Sequence, residues 1–157
     1  MIDTDGKYAG YAYSLLRIVT ALLFIQHGTA KVFDMPHMGL PDTMLGIQTG
    51  AIGVLELVGG VLVLIGLFSR LAAFVLAGEM AVGYFMVHAP QSFYPVINHG
   101  EVAVLFCFIF LLIAAAGPGK WSVESLRGED DEPGVEGYAA PGGERQYRPE
   151  DFGDTVI

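Results

Sequence analysis

Three apolar stretches of this chain each carry a charged side chain well inside them: Arg17, Glu56 and Glu79. A charge at membrane depth costs about 3 kcal/mol even on lenient insertion scales, so it usually faces a partner or a polar cavity and not lipid. The three charges therefore predict a polar site within a bundle of membrane helices. They constrain the place of that site more than its chemistry.

The composition divides the chain into two parts. Its 157 residues are 53% hydrophobic with a mean hydropathy of +0.51, as in a small membrane domain. Residues 1–127 contain eight acidic and six basic residues, whereas residues 128–157 contain nine acidic and two basic ones. We therefore expect a membrane domain over 1–127 and a disordered, solvated acidic tail over 128–157. A lone cysteine, Cys107, excludes an internal disulfide or CxxC redox pair.

The fold class predicted is all-α, a membrane four-helix bundle. Four apolar segments have nearly the roughly 20 residues that a bilayer requires. The first follows an acidic leader, which indicates a retained helix and not a cleaved signal. A very short turn between the second and third segments predicts a tight helical hairpin. The segments are Gly10–Ala30, Gly46–Phe68, Leu71–Ala89 and Gly100–Ala116.

The distribution of basic residues predicts the orientation. Four spans place both termini on one side, and that side carries most of the lysines and arginines near helix ends. The positive-inside rule then puts both termini in the cytoplasm, with the protein multi-pass in the cell membrane. The loop at 89–99, on the other side, contains two prolines and is expected to be ordered. The cytoplasmic set is Lys7, Arg70, Lys120 and Arg127, against Lys31 on the other side.

Depth along the helices predicts which charges meet. At about 1.5 Å per residue, Arg17 and Glu79 lie at similar depths and Glu56 a little deeper, so the three can form one cluster. One interpretation is a structural salt bridge that lets Arg17 cross the membrane. The other makes one carboxylate a proton carrier, because two acids that share one arginine do not both stay ionised. Both interpretations remain open at this point.

A second polar layer lies at the outer helix ends. We call His27, Lys31, His88 and Glu101 the rim residues. Histidine hydrogen-bonds carbonyl groups and titrates near neutrality, so a quinone headgroup is a natural ligand here. The spacing supports a metal or haem site less well. On the first helix one stripe is expected to face the bundle: Arg17, Phe24, His27, Gly28 and Lys31.

Several linked motifs resemble the DoxX family of small integral membrane proteins, over about residues 12–124. Asn98-His99-Gly100-Glu101 departs from the family, in which a glycine often stands at the place of His99. The motifs are His27-Gly28-x-x-Lys31-x-Phe33, Glu56-Leu57-Val58-Gly59-Gly60, Gly66-Leu67-Phe68-Ser69-Arg70, Gly78-Glu79-Met80-Ala81, His88-Ala89-Pro90, Gly100-Glu101 and Gly117-Pro118-Gly119-x-Trp121-Ser122.

The resemblance implies a four-helix membrane protein linked to quinone-coupled sulfur or thiol oxidation or to oxidative-stress resistance. We expect a quinone-interacting subunit of a membrane oxidoreductase system. The rim residues would hold the headgroup, and Arg17, Glu56 and Glu79 would handle protons or charge. A redox partner protein would supply electrons, because the chain has no dinucleotide fingerprint and no iron–sulfur cysteines.

Two other functions remain open. The first is a non-catalytic scaffold or assembly factor that recruits redox enzymes. The second is a small-solute transporter, which would require a homo-oligomer because four helices are few for a monomeric transporter. No feature of the chain predicts a nucleic-acid partner.

Overall fold

The computed structural model describes residues 8–37 and 47–127. Within those ranges the chain forms helices, turns and bends and no β-strand, which confirms the predicted all-α class. The acidic tail predicted over 128–157 lies outside the described residues. The helices are α1 (Ala9–Phe33), α2 (Ile47–Ile65), α3 (Ser69–Gly83), α4 (Pro95–Asn98), α5 (Glu101–Ala116) and α6 (Val123–Leu126), with a π-helical turn (Tyr84–His88) that continues α3.

Two of the helical segments are long and apolar enough to cross a membrane: Ala9–Phe33 and Ser69–His88. Two further apolar helices are shorter, Gly50–Ile65 and Glu101–Ala116. The first and third expected segments therefore form helices long enough to span a membrane, and the two shorter helices lie within the second and fourth expected segments.

The four long helices pack around one apolar core. α1 packs mainly against α2 and α3 mainly against α5, while α2 joins α3 at their hairpin. The buried face of α1 follows the predicted stripe, with Arg17, Phe24 and Gly28 buried. Aromatic rings from α1 and α5 meet at the centre, where Phe24 lies 4.8 Å from Phe110, centroid to centroid, in an edge-to-face arrangement. The core comprises Ala21, Phe24, Val63, Ala72, Ala73, Leu76, Ala77, Phe106, Phe110 and Ile113.

The α2–α3 turn is a tight hairpin, as predicted. Gly66 adopts φ +66°, the left-handed conformation that ends many helices because a side chain strains it. Its N–H donates to the Val63 carbonyl, and the Leu67 N–H donates to the Leu62 carbonyl. These two bonds form a Schellman motif, and α3 begins at Ser69 directly afterwards. We call this end of the molecule, with the start of α1 and the end of α5, the hairpin end.

The opposite end, which we call the loop end, contains the π-helical turn and the segment from Ala89 to Gly100. The loop is held together by Asn98, which is buried. The Asn98 side chain donates to the Ser92 carbonyl at 2.8 Å and accepts from the Gly100 N–H at 2.8 Å. The expected ordering of this loop therefore has a specific cause, an asparagine that replaces missing backbone partners.

Candidate functional site

Arg17 lies at the hairpin end and binds backbone carbonyls. Its guanidinium donates to the Val63 carbonyl at 2.7 Å and to the Leu64 carbonyl at 2.8 Å. It also donates to the Trp121 carbonyl at 2.9 Å, beyond the end of α5. The last carbonyls of a helix have no partner within the helix and form the negative end of its dipole. Arg17 thus caps α2 and holds the segment after α5 against it.

The expected cluster of Arg17 with Glu56 and Glu79 is wrong in its cation, because Arg17 bonds backbone carbonyls, whereas Glu56 and Glu79 do lie together. Side chains on a helix point toward its N-terminus, so Arg17 extends toward the hairpin end and away from both carboxylates. Lys31 lies near the C-terminal end of the same helix, so the same direction takes its side chain away from that end and into the protein. The two cations are 14 residues apart, which is about 21 Å along α1. Depth counted from Cα positions alone does not include this tilt.

Glu56 is paired with Lys31 instead. The Lys31 Nζ lies 2.5 Å from Glu56 Oε1, with the side chain of Glu56 2% exposed and that of Lys31 21% exposed. The carboxyl of Glu79, on α3, neighbours the Glu56 carboxyl, and both of its oxygens are shielded from solvent. One ammonium and two carboxyl groups from three helices therefore meet inside the protein. We call Lys31, Glu56 and Glu79 the buried triad.

Close packing of α1 against α2 brings the triad together. A Cβ atom on Gly28 would lie 2.6 Å from the Leu57 backbone nitrogen and 2.9 Å from the Gly53 carbonyl oxygen. On α2, a Cβ on Gly53 would lie 2.7 Å from Lys31 Cβ. The two glycines let the helix backbones touch, as small residues do in membrane helix pairs. The Lys31 side chain consequently starts next to Gly53 on α2 and can reach the Glu56 carboxylate, which lies about one turn further along α2.

Three oxygens of the triad lack a conventional partner. Glu56 Oε2 and both carboxyl oxygens of Glu79 are shielded from solvent and accept no hydrogen bond from a described residue. Burying a charged oxygen without a donor is costly, so a native protein usually supplies a donor or neutralises the charge. Among the described residues Arg17 Nε and Ser69 Oγ are also buried without a partner, but the unpartnered carboxyl oxygens are those of the triad.

A pocket lies between α1 and α5. Its volume is about 260 Å³, and His27 forms part of its wall one helical turn before Lys31. The His27 ring packs edge-on against Phe106, with the ring centroids 6.0 Å apart. The pocket thus combines an aromatic wall with an imidazole that can donate or accept a hydrogen bond. Its lining residues are Leu23, Gln26, His27, Pro36, Val102 and Phe106.

The other rim residues do not line this pocket. Lys31 is bonded to Glu56, and the Nδ1 atom of His88 lies 2.9 Å from the Asn98 carbonyl oxygen. Glu101 is exposed in the first turn of α5. Among residues 8–37 and 47–127 no three His, Cys, Asp or Glu side chains are grouped as metal ligands. Of the four rim residues expected to surround one headgroup, His27 is therefore the one that lines the pocket.

Sequence reasoning missed Gln26 and Phe106 as lining residues and Lys31 as the partner of Glu56. Phe106 carries no signal in the sequence, because an aromatic residue in an apolar helix is ordinary core. Lys31 had a signal, since the only lysine at its end of the bundle falls on the buried stripe of α1. The direction in which a helical side chain points, combined with the position of Lys31 on that stripe, would have predicted its pairing with Glu56.

Comparison with known proteins decides the family. The DoxX profile matches residues 12–89. An uncharacterized protein of Haemophilus influenzae is 39% identical over an alignment of 128 residues, and the match covers 76% of this chain and 92% of that protein. The chain belongs to the DoxX family. The inner membrane protein YqjF of Escherichia coli K12 is 30% identical over an alignment of 125 residues, and the match covers 70% of this chain and 87% of that protein. No solved structure gives a significant match.

Family membership and the two long apolar helices make this DoxX protein a membrane protein. Two of the family-like motifs noted in its sequence form the hairpin end. The Ser69-Arg70 pair begins α3, where Arg70 donates to the Ala115 carbonyl at 2.6 Å and so caps α5. The segment after α5 is held to α1 by Tyr13, which donates to the Gly117 carbonyl, and by Ser14, which donates to the Lys120 carbonyl. These motifs hold helix ends together. The triad and His27 belong to the family-like motifs that begin at His27, Glu56 and Gly78.

Proposed function

We propose that this DoxX protein is a multi-pass, four-helix protein of the cell membrane with both termini in the cytoplasm. Three basic residues at the hairpin end, Arg70, Lys120 and Arg127, are exposed. Lys31, at the loop end, is drawn into the protein by Glu56. The positive-inside rule then favours a cytoplasmic hairpin end. The name of the Escherichia coli relative, an inner membrane protein, supports the same location.

We further propose that the protein binds a quinone headgroup as a subunit of a membrane oxidoreductase system. The observation that carries this proposal is the pocket between α1 and α5, where His27, one helical turn before Lys31, packs against Phe106. A headgroup carbonyl there would accept a hydrogen bond from the imidazole, while Phe106 packs against the ring. Apart from Gln26, the remaining wall is apolar, which suits a lipid-soluble ligand.

The residues of the site would take different parts in this function. His27 binds and orients the headgroup, and Glu56 with Glu79 handles the protons that quinone reduction consumes. Quinones supply two-electron redox chemistry when bound, and the electrons come from a partner protein. Arg17, far from the pocket, keeps a structural part in this proposal. Lys31 acts on the carboxylates and not on the headgroup.

The test is the quinone content of protein purified from native membranes in mild detergent. We expect near-stoichiometric quinone in the natural protein and at least a tenfold lower content in His27→Ala, because that change removes the hydrogen bond and opens the pocket wall. His99→Ala is the matched control, since His99 is exposed outside the pocket and its loss should leave the quinone content unchanged.

The scaffold alternative predicts a different result. A well-folded natural protein without quinone, or equal quinone in His27→Ala, would contradict binding at this pocket. Deletion of residues 128–157 would then be the informative change, because loss of a protein partner with that deletion supports a scaffold. Solute flux in proteoliposomes would distinguish a transporter from both.

A further inference from the structure

The charges of the buried triad do not balance when all three groups are ionised. Lys31 contributes one positive charge, and Glu56 and Glu79 would contribute two negative ones. A net charge in a shielded site is costly, and two carboxylates in contact also repel each other. One bound proton would supply the missing positive charge.

We propose that Lys31, Glu56 and Glu79 form a binding site for one exchangeable proton, held on Glu79 and shared with Glu56. The site is electrically neutral with the proton bound. The proton also supplies the hydrogen bond that the geometry lacks, because a protonated Glu79 donates to Glu56 Oε2. Two ionised carboxylates have no such donor, so one shared proton accounts for Glu56 Oε2 and for one oxygen of Glu79 among the three unpartnered oxygens.

The position of the proton follows from the position of Lys31. Its ammonium lies 2.5 Å from Glu56 Oε1 and stabilises a negative charge on that carboxylate. Glu79 has no cation of its own among the described residues and is the member that remains neutral. Glu56 thus accepts two charge-assisted hydrogen bonds, one from Lys31 and one from Glu79.

No other described group replaces the proton. On α1, the charged or titratable neighbours are Lys31 itself and His27 in the pocket wall, one turn away. On α5, Cys107 packs against the apolar core. Arg17 is committed to carbonyls at the hairpin end. A fixed cation is therefore not available to neutralise the second carboxylate.

The partial exposure of Lys31 gives this site a way to exchange its proton. The Lys31 side chain is 21% exposed, whereas that of Glu56 is 2% exposed. His27, in the pocket wall, lies one helical turn before Lys31 on α1. Only the use of the proton for a ligand in that pocket rests on the proposed function; the proton site itself does not.

Infrared spectroscopy of the full chain in lipid counts protonated carboxyl groups directly. Near neutral pH we expect one solvent-shielded protonated-carboxyl band that shifts on deuteration. The band should disappear in Glu79→Gln, whose amide has the shape and donor of the neutral acid, so folding is expected to be retained. It should also disappear in Glu56→Gln, because Lys31 is then balanced by an ionised Glu79.

The Lys31→Gln variant gives the opposite expectation. Without the ammonium, both carboxyls should be protonated, so the band should about double. Glu101→Gln is the control, since Glu101 is exposed and the band should be unchanged. An absent band in the natural protein, a band that survives Glu79→Gln, or no gain in a folded Lys31→Gln would each overturn the proposal. These spectra require no quinone, so they can contradict the proton site without bearing on quinone binding, and the quinone measurement can contradict quinone binding without bearing on the proton site.

Discussion

The Arg17→Gln variant is expected to lose about 3 kcal/mol of free energy of unfolding. Arg17 is fully buried and donates to the Val63, Leu64 and Trp121 carbonyls. Glutamine has one amide and cannot reach both sides, so two or more shielded carbonyls lose their donor at about 1–3 kcal/mol each, partly relieved by relaxation. The loss of the positive charge at the end of α2 adds to this.

The measurement is unfolding of the purified protein in mixed detergent, followed by Trp121 fluorescence. Trp121 is the only tryptophan, and its own carbonyl is bound by Arg17. Arg70→Gln is the matched control: Arg70 caps α5 but is exposed, so water can replace its hydrogen bonds and a loss of about 1 kcal/mol or less is expected. Equal effects of the two substitutions would contradict the structural part assigned to Arg17.

The Gly28→Ala variant is expected to destabilise the protein by about 2–3 kcal/mol and to weaken the Lys31–Glu56 pair. The added methyl group would meet backbone atoms of α2, the Leu57 nitrogen at 2.6 Å and the Gly53 oxygen at 2.9 Å. Backbone cannot rotate out of the way as a side chain does, so α1 and α2 must move apart. The cost exceeds the roughly 0.5–1 kcal/mol that alanine gains over glycine in a helix.

Gly78→Ala is the control for this prediction. A Cβ on Gly78 meets no atom within 4 Å, so that variant should be as stable as the natural protein or slightly more stable. Both variants are compared by the same unfolding measurement, and the infrared carboxyl band adds a readout of the triad. A stable Gly28→Ala protein with an unchanged band would show that the close approach of the two helices is not needed to hold the triad.

The charged residues of the described helices fall into two groups with different roles. Arg17 and Arg70 hold helix ends together through carbonyls at the hairpin end. Lys31, Glu56 and Glu79 meet in the interior and leave oxygens for which the described residues supply no donor. Arg17 leaves only Nε unpartnered, which fits a structural part, whereas buried carboxyl groups without a donor indicate a site that takes up something else. By this criterion the triad is the better target for functional mutagenesis.

The sequence by itself determined the class of protein, because local pattern decides it. Apolar length and the short turn between the second and third segments predicted the helices and their hairpin, and the stripe on α1 correctly predicted that Arg17, Phe24 and Gly28 are buried. The linked motifs also identified the DoxX family, which the profile match confirms. Each of these depends on residues close together in the chain.

Only the tertiary structure decided which charges meet. Glu56 had two cations on α1 as candidate partners, and pairing depended on the register of α1 against α2 and on the direction of each side chain. Register is set by the contact of Gly28 with Gly53 and Leu57, residues about 25 to 29 positions apart in the chain. The pocket similarly requires α5 beside α1. Such placements depend on packing between distant segments, which periodicity along one helix does not encode.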